Sequence, residues 1–147
     1  MFISSTQAMA IVQRALDEGR DRNFAPLCAA VLDSGGHLLA LLRADGASIS
    51  RPEIAIAKAS GCLGMGFGGR ELARRAQAAP QFFTALSTIF PKGIVPVAGG
   101  ALIRSSDGEL IGAIGVSGDT SDNDEICAVA AIVAAKLVAD TGRQPEG

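Results

Sequence analysis

At 147 residues the chain is close to one ordinary domain and long enough to bury a real core. Its 13 basic and 15 acidic residues are dispersed and leave a formal charge of −2, which excludes the electrostatic footprint of a nucleic-acid or anionic-membrane binder. A hydrophobic share of 48%, with 18 glycines and 4% aromatics, points to close packing of small residues and to apolar surface buried between subunits.

The N-terminal MFISSTQ has neither a basic n-region nor an apolar h-region, so no secretion signal is expected. From Ser4 or Ser5 as N-cap, Ala8, Ile11, Val12, Ala15 and Leu16 fall on one stripe and predict a first helix that Gly19 stops. A polar connection from Arg20 to Pro26 leads into a short buried strand, Leu27–Leu32. Asp33-Ser34-Gly35-Gly36 turns it back into His37–Arg43, a first hairpin. Ser48 or Ser50 then caps a helix with Pro52 near its first turn, where the fixed φ of proline is favourable. That helix runs through Ile54–Ala59 until Gly61, Gly64, Gly66, Gly68 and Gly69 break or kink it. Gly64 to Gly69 matches G-x-G-x-x-G, but the dinucleotide fingerprint requires a strand directly before it, and here a helix precedes. The glycines therefore read as a flexible corner between helices. A basic helix from Arg70 to Ala79, a break at Pro80 and a helical turn or two from Gln81 to Ile89 follow. Phe90-Pro91-Lys92-Gly93 returns the chain to the sheet.

The stretch Val97–Ala139 reads as strand, tight turn, strand, polar loop and long apolar helix. Asp107-Gly108 supplies the positive-φ positions of a hairpin turn. Gly99-Gly100 interrupts the strand before it, a sign of a bulge or of close approach by a ligand or backbone. Ser121-Asp122-Asn123-Asp124 has the S-x-x-D form of a helix N-cap. A strand that delivers Ser117-Gly118 into a helix N-terminus places unpaired N–H groups and a positive dipole end at the sheet rim, which suits an anionic ligand. The plain alternative is that Asp119, Asp122 and Asp124 cap and solvate the helix. Its longest apolar run, Ile126–Ala135, is ten residues, too short to cross a bilayer. Cys28, Cys62 and Cys127 match no metal or redox spacing and read as three buried thiols in a reducing cytoplasm.

Two hairpins and several helices without regular strand–helix alternation predict an α/β (α+β) domain over residues 1–140. An antiparallel sheet of about four to five strands is flanked by helices, the first and last of which cover it. The tail 141–147 is expected to fray.

The chemistry-bearing residues are few. Arg43, leaving a strand, offers a planar fork that suits a carboxylate, and Lys58 offers a point charge; their alternative is a surface salt bridge to Asp45 or Glu53. With His37 as the single histidine, no Ser/His/Asp or Cys/His pair can be assembled and no cluster has metal spacing. In an enzyme, acid–base work would fall to Asp45, Lys58, Asp124 or a polarised Ser117.

Asp33-x-x-Gly36, Arg43-Ala44-Asp45-Gly46-Ala47, Lys58-Ala59, Gly99-Gly100 and Gly112-Ala113-Ile114-Gly115-Val116-Ser117-Gly118, followed by Asp124, resemble the GlcG/HbpS-like family. This is also called the haem-degrading domain family, and it includes the C-terminal domain of PduO-type proteins. The resemblance runs from the first helix to the last. It implies a profilin-like antiparallel sheet, assembly into dimers or larger homo-oligomers, and binding of haem, a related tetrapyrrole or another small molecule. A haem-degrading role is claimed for some members. The family commonly has Gly-Gly-x-Pro where this chain has Gly99-Gly100-Ala101-Leu102, and it transfers no single haem ligand. His37 follows a turn, where it is either solvated or an axial ligand.

The expected ligand-binding set is Arg43, Asp45, Lys58, Gly99, Gly100, Ser117, Gly118 and Asp124. The leading expectation is a cytoplasmic homo-oligomer that binds a small carboxylate-bearing ligand such as haem, without nucleic-acid or membrane partners. The alternatives are a catabolic isomerase or tautomerase acting on a small organic acid, and an interaction module with no ligand.

Overall fold

Ser4 opens the first helix as read. In the computed structural model, which describes residues 1–144, its hydroxyl accepts from Gln7 N at 3.1 Å while Gln7 Oε1 accepts from Ser4 N at 3.0 Å, a complete capping box. Helix α1 (Ser5–Asp21) buries Ala8, Ile11, Val12, Ala15 and Leu16. Gly19, expected to stop it, lies inside it instead. A Cβ there would come within 2.5 Å of Leu27 Cδ1, so this glycine makes room for the next segment. The stop is Asn23, at φ 60. Phe24 N donates to Gly19 O and Asn23 N to Arg20 O, a Schellman motif with asparagine at its left-handed position.

The two hairpins form as expected. Strands β1 (Cys28–Asp33) and β2 (Leu38–Arg43) turn at Gly36, and β3 (Gly100–Arg104) and β4 (Leu110–Ser117) turn at Gly108. Gly99-Gly100 does not interrupt a strand, because β3 begins at Gly100. A fifth strand, β5 (Val138–Asp140), comes from residues read as helix. Helix α5 (Ser121–Ala134) ends early because Lys136 adopts φ 62. Leu137 N then donates to Ile132 O and Lys136 N to Val133 O, a second Schellman stop without glycine. The sheet is antiparallel throughout, in the order β2-β1-β4-β3-β5.

Helices lie on both faces. Helices α1 and α5 pack with Ala29, Val31, Ile103, Ile114 and Val116. The other face is taken by α2 (Arg51–Met65), which rests on Cys28, Ala30, Leu102 and Ala113, with α3 (Gly69–Ala78) and α4 (Pro80–Leu86) beside it. The approach of α2 is close because Gly115 has no side chain: a Cβ there would overlap the carbonyl oxygen of Ala55. Gly61 and Gly64, expected to break α2, sit within it and admit Ile94 and Phe90, and the helix ends at Gly66, φ 80. The corner that follows is packed, since a Cβ on Gly68 or Gly69 would strike backbone at Thr141 or Val97. Beyond β5, Thr141 O accepts from Arg70 N at 3.0 Å and Arg143 reaches Glu125 at 2.9 Å; residues 145–147 of the expected tail lie outside the described residues. No described helix is long and apolar enough to cross a membrane.

Candidate functional site

The end of β4 gathers most of the expected residues. Lys58, on α2, sends Nζ between the carbonyl oxygen of Val116, at 2.9 Å, and Asp124 Oδ2 of α5, at 3.1 Å. The two side chains are 4% and 1% exposed. Burial drives the Lys58 amine down and the Asp124 carboxyl up, and the attraction between the two charges opposes both shifts. Gly99, at φ 108, leaves the space this pair occupies: a Cβ would stand 2.8 Å from Lys58 Nζ and 2.8 Å from Val116 O. Gly100 lies against the backbone of Lys58 and the sulfur of Cys62. Ser117 Oγ accepts from Arg51 Nη1 at 3.0 Å. Sequence reasoning missed Arg51, whose position beside Pro52 marked it only as part of a helix start.

The loop after β4 is closed by its own acids. Thr120, not Ser121, is the N-cap of α5, its hydroxyl accepting from Asn123 N. Asp124 Oδ1 accepts from Asp119 N at 3.0 Å. Asp119 in turn accepts from Ala25 N at 2.7 Å, from Thr120 N at 2.8 Å and from Asn123 Nδ2 at 2.7 Å. These bonds, the one from Ala25 first, hold the Asp119 carboxyl below the ordinary aspartate range. Asp119 N, Thr120 N and Asn123 N, among the donors expected to await an anion at this rim, are thus engaged by the protein itself. Gly118, at φ 151, is pressed against the Pro26–Leu27 backbone, where any side chain would strike Pro26 O.

That backbone is the wall of a cleft. About 480 Å³ in volume, it is lined by Leu16, Phe24, Pro26, Leu27 and Leu42 as an apolar bed, with Gln13, Arg20, Arg43 and Asp45 as its polar groups. The volume falls within the range of about 300–1,000 Å³ common for small-molecule sites. Its outer turn is the Arg43–Ala47 motif: Ala44 N donates to Leu27 O, Gly46 takes φ 85, and Arg43 Nη1 donates to Ala47 O at 3.0 Å.

The expected set therefore divides. Lys58, Gly99, Gly100, Ser117 and Asp124 form a buried knot; Arg43 and Asp45 border the open cleft; Gly118 supports the wall between them. Arg43 and Ser117 face each other across Cys28 in one row of the sheet, about 10 Å apart. His37 is at the far end of the β1–β2 hairpin from Arg43, 78% exposed and 3.3 Å from Asp33 Oδ1. All three cysteine thiols are free and buried, with burial pushing Cys28 up to about 11 and Cys62 and Cys127 to about 12.

A family model described as haem degrading protein HbpS-like matches residues 3–133. HbpS itself superposes at TM-score 0.78 with 28% identity, over 91% of this chain and 90% of that one. Klebsiella pneumoniae protein ORFY gives TM-score 0.80 and 25% identity over 91% and 90%. PduOC, solved as a haem complex, shares the fold at TM-score 0.82 and 24% identity, over 97% of this chain and 100% of that one. No curated protein sequence matches the chain.

Proposed function

Because the chain belongs to the HbpS-like family of haem-degrading proteins, we propose that it is a homo-oligomeric small-molecule binding protein whose cleft takes a ligand with carboxylates on an apolar body, haem being the leading candidate. The observation that carries this reading is the cleft itself, whose lining joins Arg20 and Arg43 to an apolar bed of Leu16, Phe24, Leu27 and Leu42. An arginine fork is matched to a carboxylate in charge and plane. These lining residues fit the carboxylates and the ring of haem, but not its iron: none is histidine, cysteine or methionine. The cleft thus offers no protein ligand through which chemistry at the iron would be tuned.

The isomerase or tautomerase alternative has less support. Its best acid–base pair, Lys58 and Asp124, is sealed from solvent and engaged by Val116 O and Asp119 N. Three thiols held protonated by burial suit a reducing compartment such as the cytoplasm.

Titration of the purified protein with haem, read as a Soret shift and set against a panel of hydroxy and aromatic acids, tests the proposal. Saturable binding of haem is expected. Arg43→Ala is expected to weaken it by roughly 1.5–3 kcal/mol, the range for a hydrogen bond to a charged group, with little change in melting temperature because Arg43 is exposed. Absence of binding by haem and by every acid rejects the proposal.

A further inference from the structure

We infer that the loop between β2 and α2 is a binding site for a small oxyanion, a phosphate or carboxylate group taken up by Arg43 and Arg51 together. The inference goes beyond the cleft, since its second anchor, Arg51, is not among the residues that line the cleft.

A break in the pattern of ion pairing carries it. Of the ten arginines in the chain, eight have a carboxylate oxygen within 4.0 Å among the described residues. The two that have none are Arg43 and Arg51, and the fold holds those two on one loop. Arg43 Nη1 donates to Ala47 O at 3.0 Å, and Arg51 Nε donates to Ser48 Oγ at 3.2 Å. Ala47 and Ser48 are consecutive, with Cα atoms about 3.8 Å apart across a trans peptide. The sheet register brings the pair together from a second direction. Arg43, Cys28 and Ser117 stand opposite one another in one row on the α2 face, and Arg51 Nη1 donates to Ser117 Oγ at 3.0 Å. Arg51 thus spans from the end of β4 to the loop that Arg43 braces.

The partners of both guanidiniums are uncharged, one carbonyl and two hydroxyls. Asp45 and Glu53, the acids nearest in sequence, are exposed and stay beyond 4.0 Å of either guanidinium. Two like charges therefore share a loop without a counter-charge, which is unfavourable until an anion enters. A guanidinium carries five donors, so one bond on Arg43 and two on Arg51 leave most of both forks for that anion. Arg43 is exposed and Arg51 half-buried, so the loop is open to solvent. Arg51 also opens α2, whose N-cap Ser50 makes no side-chain bond, and the positive end of the helix dipole adds to the same charge. Phosphate and carboxylate are the groups that an arginine fork matches in geometry and charge.

The test titrates the full chain with inorganic phosphate and, separately, with succinate, at low ionic strength because exposed charges are screened by salt. Binding is followed by its heat and by the arginine Nε–H signals in NMR. At least one probe is expected to bind saturably, one per chain, with Arg43 and Arg51 as the arginine signals that move most. Binding of phosphate alone names a phosphorylated ligand, and binding of succinate alone names a carboxylic acid. Arg43→Ala and Arg51→Ala are each expected to lose at least tenfold. Arg51→Lys, which keeps the charge without the fork, is expected to lose about threefold with the circular dichroism of the parent. Failure of both probes to bind saturably overturns the inference and leaves the haem titration of the cleft unaffected. Binding within twofold of the parent in Arg51→Ala or, where that variant does not fold, in Arg51→Lys also overturns it, because the anion is then held elsewhere.

Discussion

Lys58 Nζ and Asp124 Oδ2 stand 3.1 Å apart, and this contact joins α2 to α5 through the end of β4, between helices on opposite faces of the sheet. A buried charge that loses its partner is left uncompensated, and breaking such a pair from one side costs about 3–5 kcal/mol, whereas an apolar pair of similar volume is nearly neutral. Lys58→Met is therefore expected to destabilise the protein by about that amount in urea unfolding. The double variant Lys58→Met/Asp124→Leu should recover most of it. A single variant within 1 kcal/mol of the parent would show that the pair contributes no more than a surface contact does.

Asp119 should make stability fall in acid. Its carboxyl is held low by the bonds from Ala25, Asn123 and Thr120, so its folded-state value lies beneath its unfolded one. The associated stability is present above the unfolded value and is lost as pH falls through the folded one, below about pH 4. Asp119→Asn can keep an oxygen toward Thr120 N and Asn123 Nδ2 only by turning its NH2 toward the Ala25 N–H. We expect it to lower stability by roughly 1 kcal/mol at neutral pH, because the group is half exposed, and to flatten the acid limb. An unchanged acid limb in denaturant titrations at pH 3 to 5 would contradict this.

Gly115 and Gly118 resist substitution for different reasons. Gly115→Ala must lift α2 from the sheet, because the new methyl overlaps Ala55 O, and we expect a loss of about 3 kcal/mol or more, at the upper end for overpacking. Gly118→Ala pushes on Pro26 O, at the wall of the cleft, and should lower both stability and ligand affinity. Thermal melts with and without haem separate the two. Gly118→Ala binding haem as tightly as the parent would show that the wall does not depend on this loop.

Ile126 and Val133 are exposed on α5 beside a groove that Val129, Ala130 and Ala139 also line, and Val138 is exposed on β5. We expect a second copy to cover this face, which would account for a hydrophobic share of 48% in so small a domain. Light scattering at micromolar concentration is expected to give more than the 14.9 kDa of one chain, and Val133→Lys to reduce the mass. A single-chain mass for the parent would refute self-association.

Local chemistry alone was enough to place the first N-cap at Ser4 or Ser5, the hairpin turns at Gly36 and Gly108, the helix opened near Pro52 and the break at Pro80, because each depends on residues within a few positions of one another. The family likeness also rested on short motifs, and the family model agrees with it. The helix ends escaped this reading at Asn23 and Lys136, where an asparagine and a lysine take the left-handed position that glycine usually fills; Lys136 thereby turned the end of a helix into β5. Glycines read as breaks at positions 19, 61 and 64 turned out to admit Leu27, Ile94 and Phe90, contacts that no local pattern encodes. The same holds for the site. Lys58 and Asp124 are 66 residues apart and Asp119 and Ala25 are 94 apart, so only the stacking of helices on both faces of the sheet decided that the lysine would be buried against an aspartate while Arg43 stayed exposed.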